Sequence, residues 1–383
     1  MKKNILVFTG GGLAPALNPT LFGVINKAKK NGFKILGGLF GWACLLDGGK
    51  VIDLENIGIS SIKKVGGTFL RSSRTNPFNI EGGVEQIKKN IKKYNIDYII
   101  AIGGDDTLGA ANKLFNQEKI PIIGIPKTID NDLPETYWTP GFPSAAYYFS
   151  NYVEQIREDA AYALSRIYIV ESMGRSSGWL ASSGIYGGAD IIIPPEKEIK
   201  VENLLRLTEL RYKENGNFAL IVVAEEAKFD QKVQGFDQDQ SDSFKVKRSY
   251  FISLPLQKLI KEKLGINTKA VVPGNYLESG KPTKVDRKYA IKMGQAAVEL
   301  IRKKKLGQMI KLQKENNKIK ISSIELKNVF ANNEERLLEE NMFDWENLKP
   351  TQKYLDYMQP ILGTYQPQKE QLYNKLLDKI KNS

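Results

Sequence analysis

The chain has 383 residues, of which 42% are hydrophobic and 26% are charged, a balance that is typical of globular proteins and argues against a disordered or fibrous chain. It has no histidine and one cysteine, so Ser-His and Cys-His catalysis, histidine metal sites, disulfide frameworks and cysteine zinc sites are excluded. The formal net charge of +13 comes from basic residues that are spread along the chain. We interpret these residues as solvated faces of helices; the alternatives are a general attraction of small anions and a surface that binds nucleic acid.

Apolar runs bounded by glycine alternate with amphipathic segments over the first 224 residues. The predicted strands are 4–9, 34–40, 97–102, 121–125, 166–171, 190–193 and 218–224. The predicted helices are 18–31, 83–94, 106–117, 144–164 and one that begins at 201. This alternation predicts an α/β fold in which mainly parallel sheets are covered by helices on both faces.

The remaining sequence is more polar. The stretch 231–243 is predicted to be a loop, and the lysine-rich region from 307 onward is predicted to contain helices near 333–340 and 369–380. No run approaches the roughly 18 apolar residues that a membrane-spanning helix needs. The short apolar run from Ile5 to Phe8 is also too short for a signal peptide. We therefore expect a cytoplasmic protein with no membrane or nucleic-acid partner.

Glycine-rich loops follow two of the predicted strands, as Gly10–Gly12 and as Gly103–Gly104, and Gly66–Gly67 is a third glycine-rich loop between them. Ligands of doubly wound sheets bind beyond the carboxyl ends of the strands, where glycine lets backbone N–H groups approach a phosphate. Any one of these loops alone is more often a simple tight turn. Neither the Walker sequence nor the dinucleotide fingerprint is present, so a phosphate site needs further polar partners.

Two adjacent carboxylates, Asp105 and Asp106, begin the helix after the Gly103–Gly104 loop. Helix N-capping would explain one of them, and a hard cation such as Mg²⁺ would explain the other. The segment after the next strand contains Thr128, Asp130 and Asp132. In an extended segment, alternate side chains point the same way, so these three are predicted to form a base with orienting groups, and a solvated turn is the alternative.

Charged residues also mark the ends of later strands. Arg166, Glu171 and Arg175 flank the strand 166–171, and Glu225 with Glu226 ends the strand 218–224. Repeated charge at strand ends predicts a polar crevice that binds anions.

Together these segments resemble the phosphofructokinase family over roughly residues 4–300. Its GGD, TIDND and MGR signatures stand here as Gly103–Asp105, Thr128–Asp132 and Met173–Arg175, in the same order and spacing. The resemblance implies two interleaved three-layer α/β/α lobes with mainly parallel sheets. The phosphoryl-donor lobe would be 1–139 plus about 274–306, and the sugar-phosphate acceptor lobe would be 140–273 plus about 307–383.

The resemblance also implies roles for individual residues. Asp130 would take the proton from the sugar hydroxyl, with Asp132 and Thr128 in support, and Asp105 would hold Mg²⁺. The implied catalytic set is Asp130, Asp132, Thr128, Lys127 and Arg175. The implied donor-binding residues are Gly12, Arg74, Gly104, Asp106, Thr107 and Lys127. The implied acceptor-binding residues are Thr128, Asp130, Arg166, Met173, Gly174, Arg175, Glu225, Lys269 and Tyr276.

The phosphoryl donor can be argued from Asp106 and Lys127. Family members that use ATP usually have glycine in place of Asp106, and the pair resembles the pyrophosphate-using branch. A carboxylate near the α-phosphate would repel it by about 4 kcal/mol at roughly 4 Å and an effective dielectric of ~20. Pyrophosphate is therefore the expected donor, with ATP as the alternative.

The acceptor site departs from the family pattern. Arg166 matches, Lys269 is a cationic substitute, Asn275 replaces a common histidine, and Glu278 stands where arginine is expected. Fructose 6-phosphate is the expected acceptor; sedoheptulose 7-phosphate, another phosphosugar or an unphosphorylated polyol are the alternatives. Two alternatives to this function are a catalytically weak, regulatory sugar-phosphate binder and a kinase of the NAD or diacylglycerol type.

By resemblance, Arg166 and Lys269 would reach into a neighbouring subunit's site, which implies a homodimer or homotetramer.

Overall fold

The computed structural model describes residues 2–162, 165–231, 233, 236–237, 249–316, 318–332, 334–365 and 379. It divides the chain into two compact units, each made of separate stretches of sequence. The first unit contains Met1–Ala146 and Gly274–Leu337, and the second contains Tyr147–Asp237, Ser249–Pro273 and Leu338–Ser383.

The strands and helices alternate as the sequence predicts. The strands are β1 Asn4–Thr9, β2 Lys34–Gly38, β3 Val51–Asp53, β4 Tyr98–Gly103, β5 Ile122–Pro126, β6 Ile167–Ser172, β7 Ile191–Ile193, β8 Glu198–Ile199, β9 Ala219–Ala224, β10 Lys228–Phe229, β11 Phe236–Asp237, β12 Ser249–Tyr250, β13 Thr268–Val271, β14 Gln308–Glu315, β15 Lys318–Glu325, β16 Phe343–Asp344 and β17 Lys349–Pro350. The α-helices are α1 Leu17–Lys30, α2 Gly83–Lys93, α3 Asp105–Glu118, α4 Phe142–Tyr162, α5 Trp179–Ser182, α6 Val201–Glu214, α7 Ser253–Leu264, α8 Lys284–Arg302, α9 Leu326–Val329 and α10 Gln352–Leu362. None of the helices in the described ranges is long and apolar enough to cross a membrane.

The first unit is built on a seven-stranded sheet in the order β15-β14-β5-β4-β1-β2-β3. The five inner strands run parallel, and β3 and β15 are antiparallel edge strands. The residues of β5 are all buried, as are those of β1 and β4 after their first residue. Continuous burial is the pattern of a parallel strand covered on both faces, and it explains the continuous apolar runs in the sequence.

Helices α1 and α8 of the first unit pack very closely. A Cβ atom on Gly23 of α1 would lie 2.2 Å from the backbone oxygen of Ile291, and one on Gly294 of α8 would lie 2.4 Å from that of Thr20. Larger residues at either position would force the helices apart. These two glycines therefore fix α8 against α1.

The second unit contains a four-stranded sheet in the order β13-β6-β9-β7, with all strands parallel. The residues of β6, β7 and β9 are all buried. Helix α10 covers part of this unit through the stacked rings of Trp179 and Tyr354, and the Tyr354 hydroxyl donates to the backbone oxygen of Trp179 across 2.7 Å. The prediction of an α/β fold with mostly parallel sheets is confirmed.

The region after 307 differs from the sequence prediction. The segment 307–337 was expected in the second lobe, but β14 and β15 form a hairpin whose first strand pairs with β5 of the first unit. The helix expected near 333–340 is wrong for the described residues, since the Arg336 N–H donates to Asp132 O and the Leu338 N–H to Glu196 Oε1. These tertiary contacts use backbone groups that a helix needs. Most of the predicted loop 231–243, and the predicted helix 369–380 apart from Lys379, lie outside the described residues.

Candidate active site

In the first unit, the Gly10–Gly12 and Gly103–Gly104 loops meet over the side chain of Thr107. Strands β1 and β4 are neighbours, so Gly10 and Gly103 leave the sheet side by side. A Cβ atom on Gly10 would lie 2.5 Å from Thr107 Oγ1, and one on Gly103 would lie 2.4 Å from Thr107 Cβ. Thr107 is buried, and its backbone oxygen accepts a hydrogen bond from the Trp42 indole across 3.1 Å. Gly10 and Gly103 were predicted as parts of the glycine-rich loops, but Trp42 was missed, because its contact with Thr107 joins distant segments.

Lys127 lies beneath the first glycine loop. Its N–H donates to Gly103 O across 2.9 Å, and its ammonium group donates to Gly12 O across 2.5 Å. The Lys127 side chain is only 3% exposed, and its Nζ is 3.3 Å from the position of a Cβ atom on Gly11. Gly11 has a φ of +81°, where a larger residue would be strained. A buried positive charge thus lies where the two loops converge, which suits an anionic ligand.

Arg74 is placed by the residue that precedes it. The Gly11 N–H donates to Ser73 O across 2.9 Å, and the Ser73 hydroxyl donates to Phe40 O across 2.6 Å. The neighbouring Ser72 hydroxyl donates to Gly11 O across 2.6 Å. Arg74, which is half-buried, is therefore held next to the Gly10–Gly12 loop, as its predicted role in binding the donor requires.

Asp105 and Asp106 occupy the first turn of α3, and Gly104 is the N-cap residue. Because Gly104 occupies the N-cap position, neither aspartate is the N-cap residue of α3, and that part of the prediction is wrong. Both aspartates are exposed, and the positive end of the helix dipole favours their charge. No group of three metal-ligating side chains occurs within the described part of the chain. Mg²⁺ usually binds through one or two carboxylates together with substrate phosphates and water, so Asp105 fits that ion.

The segment 127–132 is a turn, not the extended strand that the sequence argument assumed. Thr128 Oγ1 accepts the Asp130 N–H across 3.0 Å, and Asn131 has a left-handed φ of +60°. Buried Asn131 accepts the N–H of Thr139 through Oδ1 across 3.1 Å. The period-two alternation of side chains therefore does not apply. The bend brings the Asp130 N–H to Thr128 Oγ1, and both Asp130 and Asp132 are half-buried.

Glu278 lies against the donor loop. Its Oε1 atom is 3.3 Å from the position of a Cβ atom on Gly12, and the residue is half-buried. Tyr276, predicted to bind the acceptor, is 54% exposed in the short 3₁₀ segment Gly274–Leu277, which directly precedes Glu278. The sequence placed Glu278 near the acceptor phosphate; its contact with Gly12 could not be read from its position in the chain.

In the second unit, the predicted sugar-binding residues meet at the carboxyl ends of β6 and β9. Glu225 Oε1 accepts the N–H groups of Gly174, across 3.1 Å, and of Arg175, across 2.9 Å. Gly174 and Arg175 have φ values of +134° and +51°, so the loop that follows Met173 is sharply folded. Glu225 therefore holds the shape of the loop, and the half-buried Arg175 side chain remains accessible to a ligand.

Arg166 and Lys269 lie at the opposite, amino end of this sheet. Arg166 directly precedes β6, and Lys269 pairs with Tyr168 on the neighbouring strand. The Arg166 side chain is 3% exposed, and its buried Nε has no hydrogen-bond partner among the described residues. The second unit thus separates these two residues from Met173–Arg175. Glu171 serves a structural purpose, because its carboxylate accepts the N–H groups of Phe251 and Ser253 at the start of α7.

Comparison with known proteins identifies the family. The chain is 39% identical over 313 residues to the pyrophosphate--fructose 6-phosphate 1-phosphotransferase of Dictyoglomus thermophilum, covering 80% of this chain and 88% of the relative. It is 34% identical over 310 residues to the ATP-dependent 6-phosphofructokinase 3 of Streptomyces coelicolor, covering 80% and 90% of the two chains.

The fold is that of a crystal structure of a pyrophosphate-dependent phosphofructokinase from Nitrosospira multiformis. The TM-score is 0.83 at 24% identity, and the match covers 96% of this chain and 94% of that one. Residues 4–301 match the phosphofructokinase family as a whole. The chain therefore belongs to the phosphofructokinase family and is a phosphotransferase with an alcohol group as acceptor.

Proposed function

We propose that this protein transfers a phosphoryl group from pyrophosphate to the 1-hydroxyl of fructose 6-phosphate, giving fructose 1,6-bisphosphate in cytoplasmic glycolysis or gluconeogenesis. The observation that carries the proposal is the buried Lys127 ammonium group at the meeting point of the glycine loops. The names of relatives include both pyrophosphate and ATP as donors, so the choice of pyrophosphate depends on the residues of this chain.

The charges of the donor site favour a short donor. Lys127 supplies a fixed cation near Gly12, and exposed Asp106 supplies an anion in the first turn of α3. A donor with a third phosphate would bring a further negative charge towards Asp106. Pyrophosphate has no such phosphate, so the repulsion of about 4 kcal/mol for unit charges at roughly 4 Å is avoided.

Asp105 would hold Mg²⁺ against the donor phosphates, and the ion, when bound, would stabilise the charge on their oxygens. In the proposed reaction, the 1-hydroxyl oxygen of the sugar bonds to phosphorus as the bridging P–O bond of pyrophosphate breaks, and orthophosphate leaves. The hydroxyl proton passes to the Asp130 carboxylate. Thr128 supports that step by accepting the Asp130 N–H, and Asp132 is held through the hydrogen bond from Arg336 to its backbone oxygen.

The acceptor would bind to the folded loop Met173–Arg175, with Glu225 fixing the loop. Arg166 and Lys269 lie at the other end of the same sheet, which is the placement expected if they serve the site of a neighbouring subunit. Within the described residues Arg166 Nε is a buried donor with no acceptor, and a phosphate or a partner chain would satisfy it. We therefore propose a homodimer or homotetramer.

The proposal is tested by identifying the products. Purified protein is incubated with Mg²⁺, pyrophosphate and fructose 6-phosphate, and the mixture is followed by ³¹P NMR. The expected result is loss of the pyrophosphate signal with equal gains of orthophosphate and of a second phosphomonoester. An Asp130→Asn variant that melts like the wild type should give neither product. No phosphomonoester from the wild type, with sugar phosphate nevertheless bound, would favour the regulatory-binder alternative instead.

A further inference from the structure

Asp286 is a carboxylate in the first unit that the proposed reaction does not use. It lies in the first turn of α8 and is 0% exposed. Its oxygens accept the N–H of Gly141 at 3.1 and 3.2 Å and the hydroxyl of Ser144 at 2.5 Å. Asp286 does not cap its own helix, because the N-cap residue of α8 is Thr283, whose side chain accepts the Asp286 N–H. Its carboxylate instead accepts donors at the start of α4, which begins at Phe142.

Gly141 connects this carboxylate to the segment that carries the base. Gly141 forms a parallel bridge with Thr128, and a Cβ atom on Gly141 would lie 3.2 Å from Thr128 O and 2.9 Å from the Cβ of Ala14. Ala14 belongs to the chain that leaves the Gly10–Gly12 loop. Gly141 therefore packs between Thr128 and Ala14, and its N–H donates to the Asp286 carboxylate.

The Thr128 side of this bridge is fixed as well. Thr128 O accepts the Thr139 hydroxyl across 2.9 Å, and Thr128 Oγ1 accepts the Asp130 N–H across 3.0 Å. A series of contacts therefore runs from Asp286 through Gly141 and Thr128 to the backbone of Asp130, and all four residues belong to the first unit. Helix α8 anchors the far end of this chain, because its glycine contact with α1 allows little movement.

We propose that Asp286 is a positioning residue for the reaction: through Gly141 and Thr128 it holds the Asp130 carboxylate at the place where the proton must be received. The inference rests on the proposed function of Asp130. Burial of a carboxylate is costly, and here it raises the pKa of Asp286 to about 6, with the Ser144 and Gly141 hydrogen bonds opposing that shift. An apolar residue of the same size would leave the buried Gly141 N–H and Ser144 hydroxyl without an acceptor, so the carboxylate is what holds Gly141 in place.

A positioning role predicts a specific kinetic effect. Misplacement of a reacting group by about 1 Å costs on the order of 100-fold in rate, whereas ground-state binding of the donor does not depend on the position of the base. Asp286→Asn should therefore lower kcat by about 10- to 100-fold, with KM for the donor unchanged. Ser144→Ala, which keeps the carboxylate but removes one of its hydrogen bonds, should lower kcat by a smaller factor.

The control is Val298→Ala. Val298 is on the same helix and is also 0% exposed, but it lies twelve residues, or roughly 18 Å, further along α8. This variant should lower the melting temperature and leave kcat per folded molecule unchanged.

An Asp286→Asn variant with wild-type kcat would contradict the inference, and so would a Val298→Ala variant that loses kcat by the same factor. If Asp286→Asn does not fold, a Ser144→Ala variant with wild-type kcat would contradict it. A wild-type protein that turns over no donor would contradict the proposed function itself, and the inference with it.

Discussion

The ammonium group of Lys127 donates a hydrogen bond to the backbone oxygen of Gly12 across 2.5 Å. This contact joins the end of β5 to the loop after β1, two segments that are separated by 115 residues. Because Lys127 is almost fully buried, its charge is screened little by water and acts strongly on a nearby anion. We propose that the donor site is built around this fixed cation and that the neighbouring carboxylates select the phosphate compound that binds there.

Asp106→Gly should change the donor preference. Removing the carboxylate from the first turn of α3 removes its repulsion of a longer donor, so the ratio of kcat/KM for pyrophosphate to that for ATP should fall by at least about 10-fold. The measurement is the steady-state rate with each donor at saturating fructose 6-phosphate. Glu118→Gln, at the other end of the same helix, is the charge-matched control and should leave the ratio unchanged. An unaltered ratio in Asp106→Gly would show that Asp106 does not select the donor.

Glu278→Gln should weaken the dependence of donor binding on Mg²⁺. The Glu278 carboxylate beside Gly12 repels an uncomplexed pyrophosphate, and bound Mg²⁺ would offset that repulsion. Calorimetry should therefore show that the variant binds metal-free pyrophosphate about 10-fold more tightly than the wild type, with a smaller change when Mg²⁺ is present.

The control for Glu278 is Glu325→Gln. Glu325 ends β15, which is antiparallel to β14, so it lies opposite the edge of the sheet where the glycine loops leave. This exposed glutamate carries the same charge, and its replacement should not alter pyrophosphate binding. If both variants bind metal-free pyrophosphate like the wild type, Glu278 has no part in metal dependence.

Much of this site could be predicted from the sequence because its residues follow buried strands. Lys127 and Asp105 stand directly after apolar runs, and the carboxyl ends of parallel strands meet at one edge. The contact of Glu278 with Gly12 could not be predicted, since it joins segments more than 260 residues apart. The turn at Asn131 was also missed, because period-two reasoning holds only where the backbone stays extended.

The same limit explains the missed hairpin. Strands β14 and β15 are only partly buried and carry many lysines, so their sequence lacks the apolar run that identifies an inner strand. Their place in the first unit is set by pairing with β5 and not by their own composition. The assignment of 307–337 to the second lobe failed for this reason.

Mixing two inactive variants should restore activity if Arg166 serves a neighbouring subunit's site. Arg166→Ala removes a cation from the amino end of β6, and Asp130→Asn removes the proposed base; each alone should lose at least about 100-fold in kcat/KM. In co-refolded mixed dimers, one site regains both residues, so roughly a quarter of all sites should be intact. The measurement is turnover of the mixture against that of each variant alone. Activity no higher than the mean of the two variants would place Arg166 outside any shared site.

The stability of the protein should depend on Asp286 in the acidic range. Burial raises the pKa of this carboxyl from 3.8 to about 6, so the folded protein holds its proton at pH values where the unfolded chain has lost it. Stability from this group is therefore complete below about pH 4 and is lost as the pH rises through about 6, by roughly 3 kcal/mol. Urea titrations of the wild type and of Asp286→Asn give the free energy of unfolding of each protein. The wild-type value minus the variant value should fall by roughly 3 kcal/mol between pH 4 and pH 7. A difference that stays constant would show that Asp286 titrates normally in the folded state.

The proposal that this protein uses pyrophosphate as its phosphoryl donor is best tested by the donor specificity of the wild-type enzyme. Initial rates are measured with Mg²⁺ and fructose 6-phosphate, first with pyrophosphate and then with ATP, and the same pair of donors is repeated with sedoheptulose 7-phosphate and with an unphosphorylated polyol. We predict that kcat/KM for pyrophosphate with fructose 6-phosphate is at least about 10-fold higher than kcat/KM for any other pair of donor and acceptor. A higher kcat/KM with ATP would contradict the role assigned to Asp106 and Lys127.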